Sequence, residues 1–353
     1  MGSMIYLRCG AVEIDWGKNG GFFDHRPLFQ SPDFKTAGYR YVADDGAGEE
    51  YVEDRPALVR PLRLVVPRLR LLGVTAEAAA KDWIDGAAQA AYLPDGKSLP
   101  TPAEVLTVFS GIRLEHLKCK DLLYSNLTVD PDGLPSEDLR TRIDAALEFV
   151  GPWELLALLG HNPDNGDELV VWEYADVLEG EWMEDAWLRA ALPTAKQFLI
   201  VGEGTSDTKI MAAAFSELRP DVADFFYFVD MEAGYPFTGT GNVFRFCQGL
   251  VSMRLLNTVL FVLDNDAEGA ATCAKIQELG LPPNMAAMVL PKVPEFEAFA
   301  TLGPSGNQVE DINGRAVSIE CFLDLSYGES RTPKVRWTGY HEPSQTHQGY
   351  HHS

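Results

Sequence analysis

The sequence predicts an α/β fold in the C-terminal half of the chain, a mostly parallel sheet with helices on both faces, preceded by an α+β module. Two observations lead to this prediction. From about residue 197, short and continuously apolar strands alternate with helical stretches, as in sheets whose strands are buried on both sides. Residues 1–190 lack that alternation and mix a hairpin with several helices. We therefore divide the chain into residues 1–190, residues 191–338 and a polar tail, 339–353, in which we expect little structure.

The N-terminal module begins with two short segments, residues 5–8 and 12–16, whose pattern is typical of a hairpin of strands. Residues 44–54 are rich in glycine and acids, which predicts a loop. Apolar residues at helical spacing predict four helices, at residues 75–91, 103–122, 136–149 and 153–159. No cluster of carboxylates or histidines precedes residue 190. We therefore expect this module to mediate self-association or partner binding.

The C-terminal elements follow one another in a regular alternation. Apolar runs predict strands at residues 198–201, 225–229, 258–263 and 285–290. Helical patterns predict the connections between them, at residues 206–218, 242–256 and 268–279. Because such crossovers are right-handed, the carboxyl ends of all four strands should lie at one edge of the sheet.

Composition limits the class of protein. The chain has 353 residues, enough for two domains, and a formal net charge of −23. No apolar run is long enough for a membrane span, and the N-terminus lacks the pattern of a signal peptide. The five cysteines are an odd number without a CxxC pair, which indicates reduced thiols and a cytoplasmic protein.

The acidic balance restricts how this chain could bind nucleic acid. A protein with this charge offers no general basic field to a polyanion, so it needs a local basic surface, metal ions or a partner that delivers the substrate. One basic stretch contains Arg55, Arg60, Arg63, Arg68 and Arg70. We interpret it as the solvated face of an ordinary element, which is what charge runs usually form.

Acidic residues follow three of the predicted strands. Glu203 comes after the first strand, Asp230 after the second, and Asp264 with Asp266 after the third. Ligands bind outside the carboxyl ends of strands in sheets of this kind. Converging carboxylates are costly unless they are paired with cations, and Mg²⁺ prefers carboxylate oxygen. The pattern therefore predicts a site for Mg²⁺ or Mn²⁺ at this edge.

These segments carry a family resemblance. Residues 201–207, Val-Gly-Glu-Gly-Thr-Ser-Asp, resemble the first motif of Toprim domains, and residues 261–269, with Asp264-Asn265-Asp266 and Gly269, resemble the second. The chain is more closely similar to the bacterial proteins called HEPN/Toprim-associated, through its first residues and the segments around Phe228, Asp311 and Trp337. The resemblance implies a Rossmann-like Toprim domain over residues 191–338, preceded by the family's N-terminal module.

The resemblance also implies roles for single residues. Glu203 would act as general acid and base or as a ligand of the catalytic metal, and Asp207, Asp264 and Asp266 would bind Mg²⁺. In Toprim nucleases similar to the overcoming-lysogenization-defect family, a later Ser-x-Glu supplies a second metal site, and Ser318 with Glu320 matches it.

One departure from the family pattern and one candidate cation complete the expected site. Ala316 stands where an Asp often precedes the Ser-x-Glu pair, and Asp311 could take its place. Lys292, after the fourth strand, could neutralise charge in the transition state.

We therefore expect a metal-dependent nuclease that cleaves DNA or RNA, tRNA included, and acts in bacterial defence against phage. Its expected partners are the nucleic acid, a partner defence protein and further copies of the chain. A first alternative is a non-catalytic Toprim scaffold that binds nucleic acid or a protein. A second is a phosphatase of the haloacid-dehalogenase type, which also has a DxD after a strand. That fold carries its nucleophile on the first strand, whereas the DxD here follows the third.

Overall fold

The computed structural model describes residues 2–42, 50–89, 98–116, 150–193, 196–230, 240–324, 333–341 and 346–352. The chain divides into two compact units, Met1–Leu192, called unit 1 here, and Pro193–Ser353, called unit 2. Among the described residues, no helix combines the length and the apolar character needed to cross a membrane.

Unit 1 is built on a five-stranded antiparallel sheet in the order β2-β1-β5-β4-β3. Its strands are β1 Met4–Cys9, β2 Val12–Lys18, β3 Phe34–Val42, β4 Glu50–Pro61 and β5 Leu169–Glu173. The predicted hairpin is β1 and β2, and Gly10 turns it at a φ of +57°, which glycine adopts without strain. The predicted loop at residues 44–54 is wrong from Glu50 onward, because the pairing of β3 with β4 continues to that residue.

The helices of unit 1 supply most of its core. They are α1 Leu62–Leu71, α2 Ala76–Gln89, α3 Pro102–Gly111, α4 Pro152–Leu159, α5 Ala175–Glu179 and α6 Asp185–Leu188. The core contains the fully buried rings of Trp83, Phe109 and Trp172. The helix predicted at residues 103–122 ends at Gly111, and the one predicted at 136–149 lies outside the described residues.

The interpretation of the basic stretch as a solvated face holds for Arg63 and Arg70, which are exposed, and is wrong for Arg60 and Arg68. Arg60 and Arg68 are buried, with 2% and 0% of their surface exposed. Arg68 donates from Nε to the carbonyl of Pro27 at 2.8 Å, and Arg60 donates to Oδ2 of Asp33 at 2.7 Å. Both guanidinium groups thereby fasten the segment from Pro27 to Asp33 to the sheet and α1. A sequence cannot distinguish such cations from surface ones, because the partners are backbone carbonyls and one distant acid.

Unit 2 contains the predicted parallel sheet, in the order β10-β8-β6-β7. Its strands are β6 Phe198–Val201, β7 Phe226–Val229, β8 Val259–Leu263 and β10 Met285–Val289. The connections are helices α7 Thr205–Leu218, α8 Thr240–Met253 and α9 Ala267–Glu278. The sequence predicted all seven elements within a few residues, because each strand is one continuous apolar run.

The three helices cover opposite faces of this sheet. Val259, Phe261 and Leu263 of β8 share a buried cluster with residues of α8 and α9. On β7, by contrast, Phe226 and Phe228 contact Phe215 of α7, with ring centroids 4.6 and 5.7 Å apart. Right-handed crossovers require this division, since the chain moves in one direction across the sheet through α7 and in the other through α8 and α9.

A second sheet completes unit 2, in the order β12-β11-β14-β15. Its strands are β11 Phe299–Gly303, β12 Gly306–Glu310, β14 Lys334–His341 and β15 Thr346–His352. The expectation of little structure after residue 339 is wrong, because β15 pairs with β14 along its length. Backbone hydrogen bonds, which polar side chains do not prevent, hold this strand. A short ladder, β9 Asn265–Asp266 with β13 Ala316–Val317, joins the DxD segment to residues after Asp311.

Candidate active site

Glu203 lies just beyond the carboxyl end of β6, in the turn that leads into α7. Its Oε1 accepts the backbone N–H of Asp264 at 2.9 Å. Since β6 and β8 are neighbours in the sheet, this bond joins the first predicted acid to the loop that carries the DxD acids. The structure therefore brings Glu203 and Asp264 together, as the sequence predicted.

Asp264 and Asp266 follow β8 in the order expected of a strand end. Asp266 is the N-cap of α9, and its Oδ1 accepts the backbone N–H of Gly269 at 2.7 Å. Gly269 lets the helix approach the loop closely. A Cβ at that position would lie 2.2 Å from the carbonyl oxygen of Asp264 and 2.9 Å from Oε1 of Glu203.

Asp207 occupies the first turn of α7 and faces back toward the Glu203 turn. Its Oδ2 accepts the backbone N–H of Gly204 at 2.9 Å. Glu203, Asp207, Asp264 and Asp266 are called the acid cluster below. For Glu203, Asp207 and Asp266, the structure gives each carboxylate a backbone N–H to accept.

The electrostatics of the acid cluster show how crowded it is. Burial first, and then repulsion from Glu203, Asp207 and Asp266, raises the pKa of Asp264 to about 8. Burial raises the pKa of Glu203 to about 7, with repulsion from Asp266 and Asp207 adding to it and the Asp264 N–H opposing it. The pKa of Asp207 is also raised, first by burial. A bound cation would lower these pKa values and keep the carboxylates ionised at neutral pH.

Glu268 is an acid beside the cluster that sequence reasoning missed. It directly follows the DxD segment on α9, and its charge contributes to the raised pKa of Glu203. Its Oε1 accepts a hydrogen bond from the hydroxyl of Thr240 at the start of α8. The signal that could have found it was its place in the first turn of a helix that begins at the carboxyl edge.

Asp230, at the end of β7, is joined to the same edge by a different contact. The hydroxyl of Thr205 donates to its Oδ1 at 3.1 Å. Asp230 is not among the main charges that raise the pKa of Glu203 or Asp264. It therefore takes a less central place than the sequence suggested.

Of the Ser-x-Glu pair, Glu320 lies beside the acid cluster, whereas Ser318 contacts Cys321. The charge of Glu320 contributes to the raised pKa of Asp207 and of Asp264, which places this carboxylate beside the cluster. Ser318 precedes a short 3-10 helix, and its Oγ lies 4.0 Å from Sγ of Cys321. Asp311, the expected substitute acid, instead accepts the backbone N–H of Asn313 at 2.9 Å.

Lys292 stands after β10 on the same edge and is exposed. The backbone N–H of Leu290 donates to the carbonyl of Leu263 at 2.8 Å, which holds the exit of β10 beside the start of the DxD loop. Among the residues that the structure describes, no ion pair joins Lys292 to an acid.

Comparison with known protein families identifies the N-terminal part of the chain. The profile of the family described as HEPN/Toprim N-terminal domain 1 matches residues 1–196, more than half of the sequence. The chain belongs to the HEPN/Toprim N-terminal domain family. Searches of the curated proteins and of the solved structures each gave no match. The family match ends before Glu203 and does not cover the acid cluster.

The donor set of this HEPN/Toprim protein suits a hard divalent cation, because it consists of carboxylate oxygens. Within the described ranges, however, no three Asp, Glu, His or Cys side chains are arranged to hold a metal ion. Glu203, Asp207 and Asp266 each direct one carboxylate oxygen at a backbone N–H. The raised pKa values show the repulsion that a bound cation would relieve.

Asn265, between the two acids of the DxD segment, adds an unsatisfied group to the site. It is 2% exposed, and its Nδ2 has no hydrogen-bond partner within the described part of the chain. Buried polar groups are nearly always paired, so one without a partner is typical of a functional site.

Proposed function

We propose that this protein is a Mg²⁺- or Mn²⁺-dependent nuclease whose acid cluster cleaves phosphodiester bonds of DNA or RNA. The observation that carries the proposal is the convergence of Glu203, Asp207 and Asp264 from different elements, where burial raises the pKa of each and the charge of Asp207 raises that of Glu203 and Asp264 further. A cluster of that kind is expected where the protein holds a cation or moves protons.

Each residue has a defined task in this proposal. Asp264, Asp266 and Asp207 would hold the metal, which when bound polarises the phosphodiester and stabilises the charge that develops on its oxygens. Glu203 would exchange a proton near the scissile bond, because a carboxylate positioned beside the metal can act as a general acid or base. Its bond to the Asp264 N–H fixes the orientation of this carboxylate.

Unit 1 would then serve recognition and assembly. Its larger charged side chains, such as Arg8, Arg55 and Arg60, are bound in ion pairs inside the fold. We propose that this unit binds a partner protein or a second copy of the chain, and that the complete protein acts in defence against phage, as its membership of a nuclease-associated family suggests.

The test is a cleavage assay with the full chain on plasmid DNA, single-stranded DNA and tRNA, in Mg²⁺, in Mn²⁺ and in EDTA. The expected result is metal-dependent cleavage of at least one substrate. A matched control is Glu217→Gln, because Glu217 is an exposed acid on α7 away from the cluster. Absence of cleavage of all three substrates under both metals would contradict the proposal.

A specific observation favours a second candidate, a non-catalytic scaffold that binds nucleic acid or a protein. The carboxylates of Glu203, Asp207 and Asp266 already have structural tasks, since each accepts a backbone N–H. Under this alternative, the wild-type protein binds nucleic acid or a partner but cleaves no substrate. The Glu203→Gln variant then binds as the wild type does, and it cleaves no substrate either.

A further inference from the structure

Arg315 lies next to the acid cluster through the backbone. A β-bridge joins it to Asp266, and the next residue, Ala316, pairs with Asp266 in the short ladder of β9 and β13. The turn that carries Arg315 is also tied to the exit of β10. Asn313 accepts the N–H of Val293 and donates to its carbonyl, both at 3.2 Å. These contacts fix the backbone of Arg315 relative to the DxD acids.

The guanidinium group of Arg315 is held but not neutralised. Its Cζ lies 4.3 Å from the ring centroid of Trp337, and one of its nitrogens donates to the carbonyl of Asp311 at 3.1 Å. Among the described residues no carboxylate forms an ion pair with it. An arginine presents five N–H donors, so donors remain for a ligand, and its half-buried side chain is reachable from solvent.

The indole of Trp337, on which the guanidinium group stacks, is itself held by a hydrogen bond. Its Nε1 donates to Glu310 at 2.6 Å, and Glu310 also accepts the hydroxyl of Thr301 at 2.8 Å. Glu310, the carboxylate to which the indole donates, thus accepts two neutral donors. A stacked, oriented guanidinium with free donors matches the geometry of a phosphate group.

The net negative charge of the chain means that a polyanionic substrate needs a local cation to bind near the acid cluster. A protein of net charge −23 with a cluster of acids at its site repels a polyanion, and bound metal offsets this only at the scissile phosphate. We propose that Arg315, stacked on Trp337, binds a phosphate flanking the scissile one and so holds the nucleic-acid backbone against the acid cluster. This inference rests on the proposed nuclease function and adds a substrate-binding residue to it.

The test compares Arg315→Gln with Arg336→Gln in the full chain. Arg336 is exposed and adjacent to Trp337 on β14, so its side chain projects from the opposite face of that strand. Binding of labelled single-stranded and duplex oligonucleotides is measured by anisotropy in EDTA over a series of salt concentrations. Arg315→Gln should lower the slope of log K against log[salt] by about 0.7–0.9, the loss of one phosphate contact, whereas Arg336→Gln leaves it unchanged.

Cleavage kinetics give a second reading. Arg315→Gln should raise KM several-fold with kcat nearly unchanged, because the contact is made in both the ground state and the transition state. Arg315→Lys retains the positive charge, so it should keep the salt slope of the wild type. It thereby distinguishes loss of the phosphate contact from a general loss of folding. An oligonucleotide scan with single neutral methylphosphonate linkages should find one position that weakens the wild type and leaves Arg315→Gln unaffected.

The outcomes separate this inference from the function on which it rests. If the wild type cleaves and a folded Arg315→Gln variant keeps its KM and salt slope, Arg315 is a structural residue and the inference is overturned. If Arg315→Gln does not fold, a methylphosphonate scan without any sensitive position overturns it instead. If the wild type neither binds nor cleaves nucleic acid, the nuclease proposal itself fails.

Discussion

The two units treat buried charge in opposite ways. In unit 1, Arg60 lies against Asp33 at 2.7 Å with both side chains almost fully buried, and Nε of Arg8 donates to Glu173 at 2.6 Å. In unit 2, Glu203, Asp207 and Asp264 are buried near one another, and burial first and neighbouring acids second raise the pKa of each. Paired charges contribute to a specific fold, whereas clustered like charges oppose it. A cluster of that kind therefore indicates function rather than structure.

The largest expected effect comes from breaking a pair in unit 1. Asp33→Ala removes the carboxylate that pairs with the buried Arg60 and also the acceptor of the Gln30 N–H. We expect a loss of about 3–5 kcal/mol in the free energy of unfolding, the usual cost of leaving a buried charge alone. Tryptophan fluorescence during denaturation reports on this unit, because every tryptophan except Trp337 lies in it.

Asp167→Ala is the control for that measurement. Asp167 pairs with Arg63 at the surface, where the two side chains are 92% and 55% exposed. Such a pair contributes about 0–1 kcal/mol, so the variant should unfold close to the wild type. Equal losses in the two variants would mean that burial does not set the strength of these pairs.

The next effect is on catalysis in unit 2. Glu203→Gln is nearly isosteric and keeps an oxygen for the Asp264 N–H, so the fold should survive. It removes the group that exchanges a proton and a charge that attracts the metal. Cleavage should fall more than about 100-fold, the lower range for loss of a general acid or base, while Glu217→Gln cleaves like the wild type. Wild-type cleavage by Glu203→Gln would exclude the proposed role.

Two helical glycines give a matched comparison of smaller size. Gly249 in α8 has open space around it, so Gly249→Ala should stabilise the protein by about 0.5–1 kcal/mol. Gly269 in α9 has the Asp264 carbonyl 2.2 Å from a built Cβ, so Gly269→Ala should destabilise by about 1–3 kcal/mol and reduce cleavage. Thermal unfolding and cleavage rates check both variants. A stabilised, fully active Gly269→Ala variant would show that the close approach is unimportant.

The smallest effect is on the pH dependence of the metal-free protein. The folded pKa values of Glu203 and Asp264, about 7 and about 8, lie above the ordinary values of these acids. Between about pH 4 and pH 8 the folded state therefore binds more protons than the unfolded chain, and stability falls as the pH rises.

Calorimetry in EDTA should accordingly show a higher midpoint for unit 2 near pH 5.5 than near pH 8, because both groups lose their bound proton across this range. Asp264→Asn should flatten this dependence, and its midpoint near pH 8 should exceed that of the wild type. A wild-type slope of the opposite sign would mean that the acids are not crowded in solution.

The sequence predicted the parallel sheet well and the rest of the fold less well. Continuous apolar strands such as Phe198–Val201 and Val259–Leu263 leave little choice of structure, and the acids that follow them had to meet at one edge. The last strand of the second sheet, Thr346–His352, has no continuous apolar run, and its backbone pairing with β14 places it in the sheet. Buried Arg60 has the sequence pattern of a surface cation.

The candidate site was likewise predicted in part. The positions of Glu203 and Asp264 after neighbouring strands were sufficient to predict their meeting. The capping task of Asp266 and the approach of Glu320 to the cluster depend on contacts between segments far apart in the chain. Glu268 was missed because a single acid in the first turn of a helix usually has no further task.

The most direct test of the central claim is a calorimetric titration of the full chain with Mg²⁺ and with Mn²⁺ near pH 8. The account predicts saturable binding by the wild type and by Glu217→Gln, and loss of that binding in the double variant Glu203→Gln, Asp264→Asn. Equal binding by the double variant and the wild type, or no saturable binding by any of the three proteins, would contradict the claim that the acid cluster holds a divalent cation.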